Sequence, residues 1–146
     1  MIYSRSAEYA IRSLVYLARI PDGKFAMARQ IAEEEKIPVY FLAKILQELT
    51  RKGLLRSSKG PSGGFSLRVP ASQIKLLSLV EALDGNALAD SLNQTPWILD
   101  TWKDLHSRIM GYLERNTIAD VAEALEHKKA AIEKAKRGKR ASKKKS

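Results

Sequence analysis

Between Pro38 and Lys52 the apolar residues Leu42, Ile45, Leu46 and Leu49 recur at intervals of 3, 1 and 3, the spacing of one helical face. Tyr40, Ala43, Lys44, Gln47 and Arg51 must then point elsewhere. Pro38 suits a first helical turn, where its missing N–H is no loss, and Gly53 supplies the left-handed residue that ends a helix. After Gly53 the period changes to two short strand-like runs, Leu54 to Ser58 and Phe65 to Arg68, on either side of the tip KGPSGG. Gly60, Pro61, Gly63 and Gly64 predict a turn that needs positive φ, with Lys59 riding on it. A helix with a free polar face running into a cationic hairpin predicts a winged helix-turn-helix.

The flanking pattern completes that architecture. Ser4 or Ser6 can cap a first helix whose stripe is Ala10, Ile11, Leu14, Val15, Leu17 and Ala18, ending before the turn Pro21-Asp22-Gly23. Ala28, Ile31 and Ala32 line a short helix from about Ala28 to Glu35, and Lys36-Ile37 turns into the next one. Beyond the hairpin Pro70 breaks the strand, and Ile74, Leu76, Leu77, Leu79, Val80 and Leu83 predict another helix closed by Asp84-Gly85. Residues 86–96 lack periodicity and read as a loop. From about Thr95-Pro96 a longer helix follows, with Ile98, Trp102, Leu105, Ile109 and Tyr112 or Leu113 as a coiled-coil-like seam. The seam can pack on its own domain or on a second copy; the second copy is favoured, because the winged helix is a closed fold without the seam and a two-fold dimer matches palindromic DNA. Thr117 caps a short last helix through Asp120, carrying Ile118, Val121, Ala122 and Leu125.

The expected fold is mainly α with one small β-hairpin. A DNA-binding winged helix-turn-helix covers 1–85, a linker 86–96, dimerisation helices 97–126 and a basic tail 127–146. The tail, HKKAAIEKAKRGKRASKKKS, has almost no large apolar residue and is expected to be disordered in isolation, with a helical start at most. It reads as a non-specific DNA tether or as a solubilising tail.

Charge sharpens the assignment. The net charge of +10 is balanced to zero over 1–35, +7 over 36–75, −6 over 76–126 and +9 over 127–146. A positive face beside an acidic remainder is the electrostatic footprint of nucleic-acid binding, where affinity comes from replacing counterions on phosphates. The candidate DNA-binding residues are Arg29, Pro38, Tyr40, Ala43, Lys44, Gln47, Arg51, Lys59, Gly60, Ser62 and Gly63.

Other chemistry is poorly served. The chain has no cysteine, which excludes disulfides, thiolate catalysis and cysteine-ligated metal. His106 and His127 are the only histidines, too few for a triad or a metal cage, so neither enzyme nor cofactor is expected. Gly60-x-x-Gly63-Gly64 lacks the Gly-Lys-Ser/Thr ending of a phosphate loop. Glu33-Glu34-Glu35 reads as a solvated helix end, and Trp97 and Trp102 as interface rather than ligand pocket. No apolar run has the length of a membrane span, and a cytosolic location is expected.

These residues in this order resemble the Rrf2 family of bacterial transcription regulators. The likeness runs from Tyr3 to about Leu125: Ser6-Ala7-Glu8-Tyr9-Ala10-Ile11-Arg12-Ser13-Leu14; Ile31-Ala32 with Ile37-Pro38; Leu42-x-x-Ile45-Leu46-x-x-Leu49-x-x-x-Gly53-Leu54-Leu55; the wing Lys59 to Leu67; and Trp102-Lys103-Asp104-Leu105. The resemblance implies a homodimer, usually a repressor, with recognition helices in major grooves and wings in flanking minor grooves. The chain departs from the family at three places. Lys59 stands where arginine is frequent, and lysine lacks arginine's planar fork. Ala43 stands where some members carry a polar reading residue, and between Gly85 and Trp102 the three cysteines of cluster-binding members are missing. The effector is then another ligand or a partner protein. Two other functions also fit the residues: an architectural DNA-binding protein dominated by its basic tail, and a winged helix that recruits a protein partner.

Overall fold

The computed structural model describes residues 4–85 and 99–145. Helix α1, Arg5–Arg19, starts at Ser4, whose side-chain oxygen accepts the Ala7 N–H at 3.2 Å. Ala7, Ala10, Leu14 and Leu17 are buried along one face, and α1 forms the centre of the fold, packing on the helices and the strand around it. Ser13 is wholly buried there, its hydroxyl donating to the Tyr9 carbonyl at 2.7 Å. That bond satisfies a polar group which burial would otherwise penalise.

Helix α2 is Ala28–Glu35 and helix α3 is Val39–Arg51, with Pro38 and Lys52 as the flanking caps. Strands β1, Leu55–Ser58, and β2, Gly64–Leu67, pair antiparallel with Leu55 opposite Leu67 and Ser58 opposite Gly64. A 3-10 turn, Ala71–Gln73, leads to α4, Leu76–Asp84. The expected start of α4 is corrected here: Ile74 precedes the helix with extended backbone, although it is buried in the core as its apolar character requires. Asp84 accepts both the backbone N–H and the hydroxyl of Ser4, which ties the end of α4 to the start of α1.

Helix α5, Leu99–Arg115, and helix α6, Ile118–Lys144, meet at a corner fixed to the rest of the molecule by backbone bonds. The Leu76 N–H donates to the Asn116 carbonyl at 3.0 Å and the Ile118 N–H to the Ile74 carbonyl at 2.9 Å. Thr117 caps α6 as its spacing predicts, with the Asp120 carboxylate accepting the Thr117 N–H at 2.8 Å and the Thr117 hydroxyl oxygen accepting the Asp120 N–H at 3.3 Å. Ile118 and Ala122 join the core, and an Arg19–Glu126 ion pair at 2.5 Å is the last tie between α6 and α1.

Beyond that tie helix replaces the expected disorder as far as Lys144. Every residue of α6 from His127 to Lys144 is exposed, roughly 27 Å of unaccompanied helix. Composition explains it. The stretch is mostly Ala, Lys, Glu and Arg, among the strongest helix formers, with Gly138 as its one weak position, and it extends a turn already nucleated by the cap and the buried residues at 118–122.

Glu33 and Glu34 are exposed, as a solvated helix end requires, while Glu35 is half-buried and departs from that reading. Arg12 pairs with the Glu35 carboxylate at 3.4 Å and donates to the Glu35 carbonyl. The Tyr16 hydroxyl donates to Glu34 at 3.3 Å, and partial burial together with the Glu34 charge raises the pKa of that phenol. Glu34 and Glu35 therefore fasten the end of α2 to α1.

Candidate nucleic-acid interface

The turn between α2 and α3 is made by Lys36, a non-glycine residue in the left-handed region (φ 54°), while Ile37 is buried and donates its N–H to the Ala32 carbonyl at 3.0 Å. That compact turn sets α3 against α2. Leu42, Ile45, Leu46 and Leu49 are all buried, at 0 to 5 % exposure, so the periodicity placed the core face correctly. The positions at i, i+4, i+7 and i+11 on the opposite side are Tyr40, Lys44, Gln47 and Arg51, all exposed. Ala43 is half-buried at the margin of this stripe. Lys44 Nζ stands 4.5 Å from the Tyr40 ring centroid, a cation–π contact that draws the lysine head along the stripe. Arg51 and Lys52 lie 3.6 and 4.0 Å from Glu48, pairs too exposed to contribute much.

Phe41 faces the other way. Its ring meets Tyr9 edge-on at 5.6 Å, and Tyr9 in turn lies under the Arg12 guanidinium at 5.9 Å, so the start of α3 is held on α1.

The wing leaves α3 through Gly53 (φ 81°), with the Leu54 N–H bonded to the Leu49 carbonyl at 3.0 Å. The tip-side end of the hairpin, where Phe65 lies opposite Ser57, is clipped to the segment before α2. Ala26 and Phe65 exchange N–H···O bonds at 2.9 and 2.8 Å, and a side chain at Gly64 (φ 132°) would overlap the Ala26 carbonyl. At the tip Lys59, Gly60 and Ser62 are exposed, and the Gly63 N–H closes the turn on the Gly60 carbonyl at 3.0 Å. Gly63 itself is buried, and a Cβ there would strike the Ser58 carbonyl. Its place among the contact residues is corrected: it makes the turn and presents no surface to a partner.

Arg29 is exposed on α2 and Pro38 at the head of α3, as expected of contact residues. Between α2 and the wing runs a groove of about 540 Å³ lined by Lys24, Met27 and Gln30 on one side and Ser58, Pro61 and Ser62 on the other. Lys24 on this groove, and Arg56 and Arg68 on a second groove bordered by Pro21 and Pro70, are cations outside the candidate contact set. Arg56 and Arg68 are exposed on the hairpin, and both belong to the segment 36–75 whose net charge of +7 already points to DNA. Lys24 had no such signal, since its position depends on the Ala26–Phe65 clip between segments 39 residues apart.

On α5 the expected seam divides. Leu113 is 8 % exposed and belongs to the chain's own core, while Tyr112 and Leu105 are 56 and 43 % exposed. Leu113 is therefore withdrawn from the dimerisation set, because its side chain is already covered. Ile109 is partly buried against the core. Ile98, the side chain of Trp102 and the proposed linker 86–96 lie outside the described residues.

A sequence profile of the Rrf2 family, described as an iron-dependent transcriptional regulator, matches residues 3–124. A protein of Aquifex aeolicus named as an HTH-type transcriptional regulator is 34% identical over 133 residues, covering 83% of this chain and 91% of the relative. One of Mycobacterium tuberculosis is 33% identical over 131 residues, covering 84% of this chain and 81% of the relative. The crystal structure of Staphylococcus aureus CymR superposes with a TM-score of 0.69 at 27% identity, covering 82% of this chain and 97% of that one. T. potens IscR superposes equally well, TM-score 0.69, covering 84% and 86%, and at 21% identity it speaks for the fold alone.

Iron in the form of a sulfur cluster does not fit these residues. Cluster assembly needs soft anionic ligands, and the chain has no cysteine. His106 on α5 and His127 on α6 are its only imidazoles, and among the described residues no group of three or more His, Asp or Glu could hold a metal ion. No helix among the described residues is long and apolar enough to cross a membrane. The matched span, the helix-turn-helix with its clipped wing and the fold shared with CymR agree: the chain belongs to the Rrf2 family of winged helix-turn-helix, DNA-binding transcription regulators.

Proposed function

We propose that this regulator binds a two-fold symmetric operator as a homodimer and represses transcription there, with no iron–sulfur cluster in its signalling. The observation that carries the DNA-reading part is the stripe Tyr40, Lys44, Gln47 and Arg51, held opposite four buried residues and followed by the cationic wing. In this reading α3 enters the major groove, and Lys59, Gly60 and Ser62 meet the flanking backbone or minor groove. Arg29 adds a phosphate contact from α2. The test is competition. A selected operator should outcompete random duplex by roughly a thousandfold or more, and equal competition would reject sequence-specific regulation.

Dimerisation is supported by the exposure of Leu105 and Tyr112 beside the half-covered Ile109 on α5. An acidic side chain there would bury an unpaired charge. Ile109→Asp should sediment as a monomer with weak operator binding, and an intact dimer would move Ile109 out of the interface. Repression is checked by transcription in vitro from a promoter overlapping the operator, where stimulation by the protein would reverse the sign. Protein incubated anaerobically with iron and sulfide should develop no cluster absorbance, and a visible cluster would defeat the cluster-free assignment. The signal is then a different ligand or a partner protein acting on residues 86–102.

The exposed cationic length of α6 favours a second contribution, non-specific attraction of DNA. Deleting residues 127–146 removes ten Lys/Arg, so the slope of log affinity against log salt should shrink by several units while operator preference survives. An unchanged slope would leave the tail as a solubilising helix.

A further inference from the structure

Resting on the assignment of α3 as the DNA-reading helix, we propose that its first two turns recognise thymine by its 5-methyl group, through Tyr40 with Ala43 and Val39 beside it. Residues at the start of a recognition helix are those that reach base edges. Here Leu42 is fully buried and Phe41, although 41 % exposed, is held edge-on against Tyr9 on α1, while Val39 at 46 % and Tyr40 at 75 % exposure stand open with Ala43 half-buried beside them. These three residues bring no amide, guanidinium or carboxylate. The Tyr40 phenol is their single polar side-chain group, so a donor and acceptor code cannot be read in the ordinary bidentate way.

The thymine methyl is the apolar feature of the major-groove edge, and small apolar and aromatic side chains are its usual partners. Large apolar side chains exposed at the reading end of a helix gain by covering it. The first cation of the helix, Lys44, lies one turn on, its Nζ 4.5 Å from the Tyr40 ring. That order fits a methyl-bearing base beside one rich in acceptors, such as guanine. A protein partner would also cover an apolar patch, but this one is interleaved with Lys44 and Arg51 in a segment whose net charge over 36–75 is +7. Such surroundings favour a polyanion.

The experiment selects duplexes from a random library with the full chain, then replaces each thymine of the selected sequence by deoxyuridine, which removes only the methyl. At least one replacement should weaken binding about fourfold, the value of one buried methyl group. In Tyr40→Ala the same replacement should matter by less than about twofold, whereas Tyr40→Phe should keep the effect, since the ring and not the hydroxyl makes the contact. Tyr40 is exposed enough for both variants to fold, which circular dichroism checks. No enriched sequence at all would overturn the sequence-specific reading itself. An enriched sequence indifferent to deoxyuridine, an effect undiminished in Tyr40→Ala, or one lost in Tyr40→Phe would overturn the methyl contact and leave that reading standing.

Discussion

Helix α3 and the distal half of α6 both carry cations, and they differ in what lies behind them. Behind Lys44 and Arg51 stand Leu42, Ile45, Leu46 and Leu49, so each polar side chain of α3 has one direction in which to point. Behind the ten cations of 127–145 stands nothing: the segment is helical and exposed on all sides. Buried leucines therefore turn charge into orientation. Without them the same residue types offer only a field, and a field acts on any phosphate backbone.

The largest expected effect strikes the support of α3. Leu46→Ala removes a fully buried side chain and should lower stability by about 2–5 kcal/mol in urea unfolding, because the surrounding helices cannot close the cavity. A loss below about 1 kcal/mol would show that α3 is not fixed by this core, and the contrast with α6 would fail.

Orientation itself is checked next. Lys44→Ala should reduce the preference for a selected operator over random DNA by about 1–3 kcal/mol, whereas Lys59→Ala on the wing tip should weaken both DNAs alike. Equal losses from Lys44→Ala would make it a phosphate contact and place α3 in the same electrostatic class as α6. Smaller still is the anchor of α6. Thr117→Ala removes the oxygen that accepts the Asp120 N–H and should cost about 1 kcal/mol by the same unfolding measurement. An unchanged midpoint would mean that packing at Ile118 and Ala122 alone holds the corner. Ile132→Ala, on the unaccompanied part of α6 at 47 % exposure, should shift stability by no more than about 0.5 kcal/mol. A larger loss would reveal a partner surface for that helix.

Legibility in the sequence followed the same division. The bounds of α2 and α3, the buried face of α3 and the glycine-marked wing could be read because periodicity and turn residues act locally. Ile74 falls in step with the apolar residues from Leu76 onward, while the Lys75–Thr117 backbone bridge beside it belongs to an extended segment that spacing does not reveal. Leu113 and Tyr112 were indistinguishable by spacing, because which one enters the core depends on the pitch of α5 against α4. The length of α6 is illegible for another reason. A segment without large apolar residues predicts disorder by its composition, yet helix formers can extend a capped, anchored start. At the candidate site, Tyr40, Lys44, Gln47 and Lys59 were accessible to pattern reading, whereas Lys24 was not, because long-range backbone pairing leaves no periodic trace.

The Ala26–Phe65 clip has a geometric consequence. It joins the tip-side end of the wing to the segment that leads into α2, so tip and helix are mounted on one frame whose span is set within a single chain. Such a frame works as a caliper on the duplex: under the proposed docking, the interval from the groove that α3 enters to the backbone beneath Lys59 becomes a property of the protein. DNA whose groove width departs from that interval must bend or lose one of the two jaws, and local duplex shape thereby enters selection at base pairs that no side chain touches.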